Sequence, residues 1–190
     1  MVEASRDKRR VAILISGRGS NMRALVEQAS GYEVALIASN KPHAEGLDWA
    51  RSRGLPTWTW DSKGVAKETY DDTLSGVLED HRIGTIALAG FMRILSPAFI
   101  ACWRGRIVNI HPSLLPKYRG LDTHKRAIEA GDTMAGCSVH LVTEELDAGE
   151  VLGQREVAIE AGDTAAALEQ RVLAAEHRLY PKILREFVLR

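Results

Sequence analysis

Apolar residues along this chain fall into short unbroken runs separated by segments of helical period, and the alternation repeats. Val11, Ala12, Ile13, Leu14 and Ile15 form a run with no polar member, which predicts a strand buried on both faces. The segment after it places Met22, Leu25, Val26 and Ala29 on one helical face, with Gly31 as a stop. Residues 34–38 form a second buried strand. The turn Ser39-Asn40-Lys41-Pro42 then leads to a helix containing Leu47, Trp49 and Ala50 and ending near Gly54. The same rhythm predicts strands over 57–60, 85–89 and 107–111, with helices over about 67–80 and 97–103 between them and a further helix over 121–130.

After Gly131 the period changes. Residues 138–143 and 156–159 alternate apolar and polar, and they flank a turn-rich stretch, 144–149, so they predict an antiparallel addition at one edge of the sheet. Ala167, Leu168, Val172, Ala175 and Leu179 then mark a helix over 164–190, with Pro181 as a kink or boundary. The expected fold class is α/β: one doubly wound domain over residues 1–190, mostly parallel, with an antiparallel edge near the C-terminus. The charged first ten residues are expected to be frayed. Trp49, Trp58 and Trp60 are expected to pack helices onto the sheet.

Composition narrows the partners. A chain of 190 residues with 45% apolar content builds a core without a metal or disulfide staple. Its 25 Lys+Arg balance 25 Asp+Glu, so nothing draws the whole chain to nucleic acid or to an anionic membrane, and a small-molecule partner is expected. Cys102 and Cys137 are isolated thiols, consistent with a reducing compartment. The apolar run at 11–15 is too short for a signal peptide or a membrane span, which makes the cytoplasm the expected location. His43, His81, His124, His140 and His177 match no metal-ligand spacing, and no Gly-x-Ser-x-Gly elbow exists, so neither a metal nor a serine nucleophile is expected. Lys125 and Arg126 read as a solvated helix face. Composition leaves monomer and homodimer equally open.

Two stretches carry candidate chemistry. Ser16-Gly17-Arg18-Gly19-Ser20-Asn21 joins a strand to a helix, a context in which free backbone amides hold a phosphate. It lacks the third glycine of a dinucleotide fingerprint and the Gly-Lys-Ser/Thr of a nucleoside triphosphate loop, which favours a single phosphate monoester. The alternative is a tight turn with Ser20 or Asn21 capping the helix. In the strand at 107–111, a period of two points Asn109 and His111 to one side, and Pro112 and Pro116 end the strand there. A neutral amide donor beside a switchable imidazole suits an oxyanion forming on a carbonyl carbon; the alternative is a buried polar pair that satisfies loop backbone. Asp147, in a glycine-containing loop, is the candidate to pair with His111 and favour its cation. The loop at 90–97 presents apolar side chains at a strand end, as a ligand pocket does.

The motifs SGRGSN at 16–21, AGFMRILSPAF at 89–99, VNIHPSLLPK at 108–117 and TEELDAG at 143–149 resemble, in order, those of the phosphoribosylglycinamide formyltransferases. The likeness spans about residues 11–181. It implies a Rossmann-like formyltransferase fold and transfer of a formyl group from 10-formyltetrahydrofolate to glycinamide ribonucleotide in purine synthesis. By that resemblance Asn109, His111 and Asp147 are catalytic. Gly17, Gly19, Ser20, Asn21, Pro112 and Glu176 contact the ribonucleotide. Lys67, Met92, Arg93, Ile94, Leu95, Leu141 and Val142, with Asn109 and Asp147, contact the folate. Two departures stand out: Glu150 where a proline is common, and Arg119-Gly120-Leu121-Asp122, closer to the methionyl-tRNA formyltransferases. The glycine turn at 17–21 and a chain expected to end at Arg190 without an appended domain favour the ribonucleotide enzymes. Formyltetrahydrofolate hydrolases share the Asn-His-Asp set but differ at the first glycine turn.

Overall fold

The computed structural model describes residues 7–190. Strands β1 (Arg10–Ile15), β2 (Glu33–Ser39), β3 (Thr57–Thr59), β4 (Thr85–Leu88) and β5 (Ile107–His111) are parallel, and β6 (Met134–Leu141) and β7 (Val151–Ala158) are antiparallel. All seven form one sheet in the order β3-β2-β1-β4-β5-β6-β7. The strand sequence therefore reverses direction between β1 and β4, and the carboxyl ends of those strands frame the crevice where open α/β sheets take ligands.

Helices α1 (Ser20–Glu27), α2 (Glu45–Ser52), α3 (Lys67–Asp80), α4 (Pro97–Cys102), α5 (Thr123–Glu129) and α6 (Ala165–Val188) cover both faces. The unbroken apolar run of β1 is the reason. Val11, Ile13 and Ile15 join a core with α1, α2 and α6, while Ala12 and Leu14 join a second core with Tyr70, Leu74 and Leu78 of α3 and with Phe99 and Ile100 of α4. On β5, Val108 and Ile110 face the α6 side, which leaves Asn109 and His111 to the other, as the period of two requires.

Several expectations need correction. Of the first ten residues, 1–6 lie outside the described residues, but 7–10 are tied down: Thr85 Oγ1 donates to Lys8 O at 2.8 Å and Arg10 begins β1. Strand β6 starts at Met134, four residues before the visible alternation, because Gly136 interrupts the pattern. A Cβ there would collide with the Arg155 carbonyl of β7, so only glycine fits the ladder. Helix α5 starts at Thr123, and Leu121 stays in an exposed loop.

Pro181 neither ends nor divides α6. Its missing N–H would have served the His177 carbonyl, and Gln28 Nε2 supplies a donor there at 3.0 Å. The three tryptophans do pack as expected, Trp58 and Trp60 on Tyr70 and Trp49 against the core of the opposite face, where the Arg23 and Arg53 guanidiniums also meet its ring. Arg126 is not a merely solvated cation, since it donates to Arg119 O at 2.7 Å and Leu121 O at 3.2 Å. Cys137 is a core thiol, pushed up to about 12 by burial. No helix of the described residues is long and apolar enough to cross a membrane.

Candidate active site

A cleft of about 530 Å³ opens at the carboxyl edge of the sheet. The end of β4 brings Gly90, Phe91 and Met92 to it, the end of β5 brings Asn109, His111 and Pro112, α1 brings Asn21, and α6 brings Glu176. Gly17, Gly19, Ser20, Lys67, Arg93, Ile94, Leu95, Leu141, Val142 and Asp147 are not among its lining residues. Gly17 instead faces a smaller cavity with Arg18 and Lys41, and Lys67 opens α3.

His111 is buried, and both ring nitrogens have partners. Nε2 lies 3.0 Å from Tyr118 O, and Nδ1 lies 3.4 Å from Asp147 Oδ2. A carbonyl only accepts, so Nε2 carries a proton. Burial pulls the imidazole below its ordinary pKa, against the upward effects of the Tyr118 carbonyl and the Asp147 charge. The expected pairing with Asp147 is present, but the expected preference for the cation is not: desolvation outweighs the carboxylate.

Asp147 receives the Gly120 N–H at 2.9 Å on Oδ2, while its Oδ1 lies 3.5 Å from His140 Nε2. Burial pushes this carboxyl up, but the His140 and Gly120 contacts and the two imidazoles together hold it below the usual value. His140 was set aside in the sequence as one of several unclustered histidines. It sits directly across the β5–β6 ladder from Asn109. Its Nδ1 donates to Leu141 O at 2.8 Å, so in the neutral ring Nε2 accepts from Asn109 Nδ2 at 3.1 Å. That contact fixes the Asn109 amide with one N–H spent and the other available. His140 occupies a polar position of the alternating strand, as Ser138 does, so the pattern did not set it apart.

Backbone strain gathers around this cluster. Tyr118, Asp122 and Asp147 all adopt left-handed φ values, 53°, 57° and 50°. Such residues cost on the order of 1–3 kcal/mol each and persist where surrounding bonds over-determine them. Here Tyr118 is held by its hydroxyl to Asp132 Oδ2 and its carbonyl to His111, and Asp147 by Gly120. Both departures from the family pattern fit these loops. Glu150 contributes its carbonyl, which accepts from Leu141 N at 2.9 Å, a role independent of side chain; Arg119 ties its loop to Glu145 at 2.6 Å.

The turn after β1 is a backbone cradle. Gly19 is the N-cap of α1 at φ 71°, no side chain caps the helix, and no acidic residue occupies its first turn. The expected alternative, Ser20 or Asn21 as cap, therefore fails. Asn21 instead donates to Glu176 Oε2 at 2.7 Å, and its own Oδ1 is buried without a partner beside the cleft. Burial raises the Glu176 carboxyl to about 7, with the Asn21 bond acting in the opposite sense.

A carboxyl whose pKa is higher folded than unfolded stabilises the fold below its unfolded pKa, and that contribution is lost as pH rises through the folded one. Glu176 therefore contributes stability at pH 4 that disappears by about pH 7, on the order of 3 kcal/mol. Melting temperatures of Glu176→Gln and the parent between pH 4 and 8 check this. The difference between them should move in the variant's favour as pH rises; a constant difference would contradict it.

A formyl transferase family model matches residues 9–184. The chain is 43% identical over 182 residues to the phosphoribosylglycinamide formyltransferase of Escherichia coli (strain K12), covering 93% of this chain and 86% of that protein. It is 45% identical over 183 residues to the trifunctional purine biosynthetic protein adenosine-3 of Gallus gallus, covering 94% of this chain and 18% of the longer one. The chain thus spans less than a fifth of the length of such trifunctional relatives. The crystal structure of phosphoribosylglycinamide formyltransferase from Brucella melitensis superposes with a TM-score of 0.90 at 48% identity, covering 95% of each chain. With the Asn-His-Asp cluster at the same sheet edge as the glycine cradle, these matches show that the chain belongs to the formyl transferase family, in its phosphoribosylglycinamide formyltransferase branch.

Proposed function

We propose that this chain transfers the formyl group of 10-formyltetrahydrofolate to the primary amine of glycinamide ribonucleotide, in the cytoplasm, as a step of purine synthesis. The observation that carries this reading is the convergence of Asn109 and His111, the latter backed by Asp147, on a cleft that also reaches Asn21 beside the backbone cradle. The residues fit both substrates. Gly19, Ser20 and Asn21 offer unpaired amides to a phosphate, with Gly17 before them and with Glu176 and Pro112 beyond for the ribose and amine end. Met92 and Leu121 give the cleft an exposed apolar rim, as a flat heterocycle needs.

The folate supplies an acyl carbon already activated by its ring nitrogen. As the amine adds to that carbon, charge grows on the formyl oxygen; the free N–H of Asn109 is a donor for it, and the Nε2–H of His111 becomes one by leaving the Tyr118 carbonyl. His111 is neutral at rest because it is buried, and its proton affinity rises beside a forming oxyanion. Asp147 then faces the nitrogen, Nδ1, that gains the proton. The proton lost by the amine is the one held at His111 Nδ1, and it passes to the folate nitrogen as that nitrogen departs, so the step balances.

The test is consumption of 10-formyltetrahydrofolate, followed by absorbance, with and without glycinamide ribonucleotide. Consumption should require the ribonucleotide. Equal consumption without it would make the protein a hydrolase, and no consumption in either case would make it a binding module. A separate expectation concerns the cradle. Gly19→Val forces a β-branched residue into a left-handed position, with its Cβ against Met22 and Gly46. It should weaken ribonucleotide binding about tenfold or more and folate binding by less than about threefold. Calorimetry with each substrate checks this, and equal weakening of both would contradict it.

A further inference from the structure

Helix α3 carries a buried charge that formyl transfer does not use. Asp71 is 1% exposed. Its Oδ2 accepts the Ser96 N–H at 2.6 Å, and Ser96 is where the loop after β4 ends and α4 is capped. Its Oδ1 has no hydrogen-bond partner and lies 3.9 Å from Nε of Arg93, which also lacks one. Tyr70, the preceding residue, places its ring 4.6 Å from the Arg93 guanidinium, and Trp60 stacks on that ring at 5.7 Å. Arg93 is thus turned inward, towards α3. The same loop leaves Met92 and Ile94 67% and 71% exposed. One side of the loop is fixed to a buried anion while Met92, on the other, lines the cleft.

Burying a carboxylate costs several kcal/mol, and an apolar residue would fill the same space without that cost. The anion is justified if it fixes geometry that packing alone would leave loose. We propose that Asp71 is a positioning residue for the co-substrate: through Ser96 and Arg93 it sets the loop that presents Met92 to the folate ring. The inference rests on reading this loop as the folate side of the cleft.

Steady-state kinetics of Asp71→Asn, Arg93→Gln and the double variant, with melting temperatures, test it. Asp71→Asn keeps the shape and an acceptor for Ser96 but loses the charge. The folate KM should rise about tenfold in each single variant, with kcat and the ribonucleotide KM within about threefold. The double variant should be no worse than the worse single one, because the two residues act through one contact. If Asp71→Asn does not fold, Arg93→Gln carries the same prediction alone. A fall in melting temperature with no selective rise in folate KM, or an equal rise in both KM values, would overturn the proposal. Met92→Ala separates the two levels. If it raises the folate KM while Asp71→Asn does not, only the positioning role fails; if it leaves that KM unchanged, the reading of the loop fails as well.

Discussion

His111→Ala is expected to lower kcat by about 10²–10³-fold, the roughly 2.7–4 kcal/mol that one oxyanion donor contributes in a water-excluded site. Both KM values should change little, since the imidazole donates to the protein's own Tyr118 carbonyl at rest and engages the formyl oxygen only as charge appears there. Rapid assays at saturating levels of both substrates measure this. Repacking around an alanine cannot mimic it: a loss of van der Waals contact at the end of β5 would raise KM and lower the melting temperature together. Turnover within about threefold of the parent would remove His111 from the chemistry.

Asp147→Asn is the second large effect expected, about a hundredfold or more in kcat. The variant keeps the size of the side chain and an oxygen for the Gly120 N–H, but it no longer stabilises an imidazolium at Nδ1. The sign of the accompanying titration follows directly. The carboxylate raises the His111 pKa against the dominant effect of burial, so a neutral amide lets burial act unopposed and the pKa falls further. An NMR titration of the His111 ring in parent and variant should show the lower value in the variant. An unchanged ring titration would mean that the 3.4 Å contact carries no electrostatic weight.

Much of the fold was legible because its strands are buried on both faces. A run such as residues 11–15 has one reading when it is apolar throughout, and α3 and β5 begin and end where their patterns do. The illegible parts had physical causes outside local pattern. Gly136 hid the start of β6 because the neighbouring strand's carbonyl, not the alternation, selects it. Pro181 read as a kink or boundary because its compensation comes from Gln28, at the C-cap of α1. The site shows the same division. Asn109 and His111 were visible as a pair one strand period apart, and Asp147 as an acid in a glycine loop. His140 became visible only across the ladder, and the neutral rest state of His111 depends on burial that no spacing encodes. Asp71 left no trace in the sequence beyond one more acid on a helix.

The most direct test of formyl transfer follows an isotopic label in the formyl carbon of 10-formyltetrahydrofolate through a single turnover with glycinamide ribonucleotide. The label should appear on the ribonucleotide amine, one for one with folate consumed, and transfer should slow in His111→Ala without any label being diverted. Label released as free formate by the parent protein would contradict the central claim.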